Sequence, residues 1–190
     1  GLSNFQFGLL AGFAFTIFYA VAGLFMGMLA DTANRTRLIS FGVTLWSALT
    51  AVSGFAWNFV SMLIPRMFIG VGESILTPSA MSLLADRFPQ SRLGFAAGFY
   101  YLGATLGVSG SFLLAGYLGP LIGWRNCFYL LGGIGLVFGV IVFFVKETPR
   151  RHAVKSEEKT KLPGIKEIAK IAMTAIPKSP ALVAAMTGAM

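Results

Sequence analysis

Two charges stand alone in a long apolar stretch. Arg66 and Glu73 are the only charged residues between Leu38 and Ala85. An ionisable side chain at membrane depth costs at least about 2.5 kcal/mol on insertion scales, so one that is kept there has a task. Their seven-residue spacing returns both to one helical face, with Gly70 removing bulk between them and Thr77 continuing the stripe. Pro78 has no N–H to give the Ser74 carbonyl, which leaves a free acceptor beside Glu73. With a rise of about 1.5 Å per residue, Glu73 lies roughly 20 Å into a helix that starts near Phe59, close to a bilayer midplane. Two chemistries fit this track. In one, each charge only neutralises the other or a partner elsewhere. In the other, apolar surroundings disfavour the carboxylate, so Glu73 takes up and releases a proton while Arg66 binds an anionic group or tunes the acid.

Small residues and loop charges supply the remaining candidates. Gly12, Thr16, Tyr19, Gly23 and Gly27 share one helical face, and Ala96, Gly103, Gly107 and Gly110 share another. Such faces are expected to meet other helices, as packing seams or as the walls of a cavity. Gly27, Asp31, Arg35 and Arg37 mark a helix end and a charged turn, partly echoed by Asp86, Arg87 and Arg92. Charges fixed at helix ends set topology, or form a gate when they bridge helices that later separate.

The elements that must hold these residues follow from where charge is missing. The 190 residues are 56% hydrophobic and 12% charged, against about 25% charged in soluble domains. A bilayer-crossing helix needs about 20 apolar residues. Spans are predicted at Asn4 to Ala30, Leu38 to Ala56, Phe59 to Ala85, Leu93 to Leu118 and Trp124 to Val145. The formal charge of +8 is explained by position rather than by a nucleic-acid partner. Nine of the 15 cations fall between Lys146 and Lys178, and Arg35, Arg37, Arg87 and Arg92 fall in two short loops of the same predicted side. By the positive-inside rule that side is cytoplasmic, while Arg125 stands alone on the other. The expected organisation is five spans over residues 1–145, a cytoplasmic linker over 146–178 and the start of a second bundle over 179–190.

Within the linker, Ile165, Ile168, Ala169, Ala172 and Ile176 share a helical face opposite Lys166, Glu167 and Lys170. That pattern suits a helix on a membrane surface or one packed on protein. Ser179 and Pro180 then read as the cap and first position of a new apolar helix from Ala181. Cys127 is the only cysteine, so no internal disulfide or thiolate metal cluster is expected, and no metal-ligand cluster or cofactor motif is visible elsewhere in the sequence.

Gly27-x-x-x-Asp31-x-x-x-Arg35-x-Arg37 resembles the signature loop between helices two and three of the major facilitator superfamily. Arg66-Met67-Phe68-Ile69-Gly70-Val71-Gly72 resembles its helix-four motif, Gly103, Gly107 and Gly110 suit helix five, and Trp124-Arg125-x-x-Phe128 suits the entry to helix six. Thr32 stands where that loop usually has a basic residue, and Asn34 where it has glycine. Gly72-Glu73-Ser74, Pro78, Leu83-Leu84-Ala85-Asp86-Arg87-Phe88-Pro89 and Phe99-Tyr100-Tyr101 are similar to the spinster-like branch. The resemblance implies an all-α membrane protein, with helices two to six of an amino-terminal bundle followed by the central linker and the start of helix seven. It also implies proton-linked movement of a lysolipid or sphingosine phosphate across a plasma membrane or bacterial inner membrane. Glu73 would be the protonation site and Arg66 a cavity charge, with an acidic partner on a helix one outside this chain. Thr77, Tyr19, Tyr100 and Gly103 complete the cavity set, and Gly27, Asp31, Arg35, Arg37, Asp86, Arg87 and Arg92 the cytoplasmic gate. Organic-anion symporters of a neighbouring branch share several of these motifs.

Other classes have less behind them. The only histidine, His152, lies in the linker, and no nucleophile-base pair is visible, which argues against an enzyme. A non-transporting receptor or scaffold would keep the same spans but move nothing across a sealed membrane. The expected partners are protons, membrane lipids, a small or lipid-like substrate and the rest of the same transporter.

Overall fold

The computed structural model describes residues 3–150, so the linker helix and the segment from Ala181 lie outside the described residues. The described residues form helices α1 (Asn4–Gly8), α2 (Ala14–Thr32), α3 (Arg35–Ser53), α4 (Phe59–Glu73), α5 (Leu76–Arg87), α6 (Gln90–Ile122) and α7 (Trp124–Phe143). A π-helical turn, Leu9–Phe13, joins α1 to α2.

Local chemistry sets the ends. Ser3 and Gln6 make a reciprocal capping box at α1, and Asn58 and Ser61 make another at α4. The Arg37 N–H donates to Asn34 Oδ1 (2.8 Å), so the asparagine in the charged turn caps α3. Gly123 has φ +81°, a left-handed conformation open to glycine, and passes the chain directly from α6 into α7. The expected third span is one apolar path, Phe59–Arg87, broken at Ser74 and Ile75. The break is where Pro78 removes the N–H that the Ser74 carbonyl would have accepted.

Among the described residues, four helical stretches are long and apolar enough to cross a membrane: Ala14–Thr32, Phe59–Arg87, Gln90–Ile122 and Trp124–Phe143. The expected second span also forms a helix, α3, but it is not among the four. It packs against α4, α5 and α7, and protein rather than lipid surrounds its buried Ser40, Ser47 and Ser53. Ser40 donates to the Gly139 carbonyl of α7 (2.7 Å).

The helices meet at glycines other than those expected. A Cβ on Gly72 would lie 3.2 Å from the Gly42 carbonyl, and one on Gly132 would lie 2.7 Å from Ala51, so these positions let α3 approach α4 and α7. Around Gly12, Gly27, Gly103, Gly107 and Gly110 the space is open. Of the glycines on the two expected faces, only Gly23 approaches a neighbour, Ser74 at 3.9 Å. Among the described residues α6 packs mainly on α5 and α7, and large apolar groups such as Phe112 and Leu113 are exposed.

Candidate functional site

Arg66 and Glu73 both lie on α4, held against α2 by Gly70. A Cβ there would sit 2.7 Å from the Phe15 carbonyl and 3.2 Å from the Tyr19 nitrogen, so glycine is what lets the α2 backbone close on the charged face. The Arg66 Nε–H donates to the Leu10 carbonyl (3.2 Å), inside the π-helical turn, and the guanidinium lies 5.7 Å from the Phe15 ring centroid. Tyr19 stacks on that same ring at 5.7 Å. A π-turn displaces the regular hydrogen-bond ladder and turns carbonyls toward other donors, which suits an arginine arriving from a neighbouring helix.

Glu73 is the last residue of α4, half-buried, immediately before the break. Among the described residues it has no ion pair with Arg66, since the ion pairs there are those of Arg35. One turn further on, Thr77 Oγ1 and Tyr100 Oη lie 3.3 Å apart, which ties α5 to α6. Arg66, Glu73, Thr77, Tyr19 and Tyr100 therefore gather where α2, α4, α5 and α6 approach one another. Gly103 lies on the open face of α6.

The second charged cluster joins the start of α3, the end of α5 and the chain after α7. Arg35 is fully buried. Its Nε donates to Glu147 Oε1 (2.9 Å), its Nη1 to Ser82 Oγ (2.9 Å) and Asp86 Oδ2 (2.5 Å), and its Nη2 to the Thr148 carbonyl (2.9 Å). The Thr36 N–H donates to the other Glu147 oxygen (3.0 Å). Burial alone would push the Glu147 carboxyl up, but the Thr36 N–H and the Arg35 guanidinium outweigh it and hold the carboxyl below its ordinary range. Arg150 donates to the carbonyls of Ala30 (3.0 Å) and Ala33 (2.9 Å), where a helix end leaves acceptors and negative partial charge.

Of the expected gate, Arg35 and Asp86 are thus joined, while Asp31, Arg37, Arg87 and Arg92 are exposed and Gly27 is open. The cluster also holds four residues that sequence reasoning did not place there: Ser82, Glu147, Thr148 and Arg150. One sign was available for Glu147, an acid set directly after the last apolar span among basic residues. Ser79, one turn before Ser82, is fully buried with an unpartnered hydroxyl, which nothing in the structure explains.

No group of histidine, cysteine and acidic side chains among the described residues is placed to hold a metal ion. The arrangement holds instead a half-buried acid at the break between α4 and α5, and a charge-paired cluster joining α3, α5 and the chain after α7.

The family model described as Major Facilitator Superfamily matches residues 1–190. The chain is 34% identical over 145 residues to a probable sphingolipid transporter, spinster homolog 1, of Arabidopsis thaliana, covering 76% of this chain and 29% of that protein. It is 29% identical over 152 residues to a probable L-galactonate transporter of Escherichia coli, covering 80% of this chain and 33% of that one. Among solved structures it is similar, at 31% identity and a TM-score of 0.68, to a bacterial homologue of the human lysosomal transporter spinster in an inward-facing, occupied conformation. That match covers 82% of this chain and 39% of the solved one. The chain thus spans about a third of the length of the relatives it matches. Matched along its full length by the family model and sharing the helical fold of a spinster homologue, this chain belongs to the Major Facilitator Superfamily.

Proposed function

We propose that this chain supplies helices two to six of the amino-terminal bundle of a proton-coupled secondary transporter, followed by its linker over residues 146–178 and the start of the second bundle. In alternating access, two bundles rock about a site near the membrane midplane, and a bound ligand shifts the balance according to its different affinity for each state. The observation that carries this reading is Glu73: an acid at membrane depth, next to a helix break, with no ion-pair partner among the described residues. Protonation removes its charge and with it the cost of closing apolar surfaces around it. Arg66 keeps a cation on the same face, and the open faces of α2 and α6 suit an apolar tail beside it. The substrate is accordingly an amphipathic anion, a lysophospholipid or sphingosine phosphate. The latch that holds one side shut is centred on Arg35, Asp86 and Glu147.

A second reading, an organic-anion symporter, is favoured by the similarity to L-galactonate and hexuronate transporters. The two separate in liposomes that hold the full-length protein. Under an imposed pH gradient, movement of a labelled lysolipid or sphingosine phosphate is expected, and a sugar acid moved in its place selects the symporter. Glu73→Gln is expected to abolish the response to the gradient while leaving substrate exchange. Undiminished coupling in that variant removes the proton site.

A further inference from the structure

A groove opens between the end of α3 and the start of α4, at the opposite end of the bundle from Arg35. Its volume is about 360 Å³, in the range of small-ligand pockets. Its lining includes Val52, Phe55, Trp57, Val60, Ile64 and Pro65. The side-chain oxygens of the two polar residues on its rim are already engaged by the α4 capping box. Ser61 Oγ accepts from the Trp57 and Asn58 N–H groups and donates to the Asn58 carbonyl, while Asn58 Oδ1 accepts from Ser61 N–H. The walls of the groove are therefore mainly apolar. Val52, Phe55, Trp57, Val60 and Ile64 are all exposed, so no described residue covers the groove. Apolar walls of this kind on a membrane-spanning bundle suit an acyl chain.

Arg125, the cation that stands alone at this end of the spans, adds a headgroup site. Its Nη2 donates to the carbonyl of Ala56, a residue lining the groove (3.0 Å), and its guanidinium stacks 4.2 Å from the Trp124 ring centroid. Those contacts fix the plane of an exposed guanidinium and leave most of its donors free. A planar fork with free N–H groups matches an ionised phosphate. Trp57 and Trp124 belong at the lipid–water boundary, the depth at which headgroup and tail part company. We infer that this groove holds one acyl chain of an anionic phospholipid of the surrounding bilayer, with its headgroup phosphate on Arg125.

The site does not depend on the transport reading, and Trp57 reports on it. The full-length transporter is reconstituted in phosphatidylcholine nanodiscs containing a small, varied fraction of chain-brominated phosphatidylglycerol. The Trp57 signal is the fluorescence lost in Trp57→Phe. Saturable quenching is expected at about five-fold lower lipid fraction than with brominated phosphatidylcholine, the preference of one cation at a membrane surface. Arg125→Gln should bring the two lipids level, and Val60→Phe, which fills the groove, should weaken quenching by both. In the unmodified protein about 1 M salt, where screening acts within about 3 Å, should also erase the preference, a test independent of whether variants fold. Equal, non-saturating quenching by both lipids in the unmodified protein at low salt means ordinary boundary lipid and overturns the assignment.

Discussion

The two charged regions of this bundle handle the same problem in opposite ways. Around Arg35, a fully buried cation meets two carboxylates, a hydroxyl and a carbonyl, so its charge and hydrogen-bonding capacity are matched on the spot. Around Glu73, an acid is held half-buried with no ion pair among the described residues, while the nearby Arg66 spends a donor on a backbone carbonyl of α2. A matched cluster holds helices in one arrangement. An acid without an ion pair among the described residues is the group on which the proposed mechanism places its proton.

That contrast fixes the order of mutational effects on stability. Arg35→Ala removes the guanidinium that pairs with both Asp86 and Glu147 and is expected to cost about 3–5 kcal/mol in reversible unfolding of the full-length protein. A loss below about 1 kcal/mol would make the cluster ornamental. Glu147→Gln keeps the shape and one acceptor oxygen but removes the charge and turns an amide NH2 toward the other donor, at about 1.5–3 kcal/mol. Its pH dependence has a definite sign. Because folding lowers the Glu147 pKa, its contribution is complete above the unfolded carboxyl value of about 4.3 and is lost as pH falls through the lower folded-state value. Wild type and Glu147→Gln should therefore converge in stability in that acid window and separate above it. Glu73→Gln is expected to change stability least, by under about 1 kcal/mol, since it breaks no ion pair among the described residues.

Most of the scaffold was legible because the bilayer leaves charge-free gaps; Pro78 marked a free carbonyl beside Glu73, but the break between α4 and α5 was not read from it. What escaped was contact between distant segments. A run such as Lys146-Glu147-Thr148-Pro149-Arg150 has the composition of solvated chain, and only the fold shows that Arg35 and the end of α2 draw it in. Helical period identified which glycines share a face, but not that Gly72 and Gly132, rather than Gly103 and Gly107, lie where helices cross. The π-helical turn at Leu9–Phe13 left no mark in a uniformly apolar segment.

Infrared difference spectroscopy of the full-length transporter, titrated through neutral pH with and without substrate, reads the Glu73 carboxyl itself. The expected result is a protonated-carboxyl C=O band that grows as pH falls, shifts its midpoint when substrate binds and is missing in Glu73→Gln. Identical difference spectra from the wild type and Glu73→Gln would contradict a proton carried on this residue.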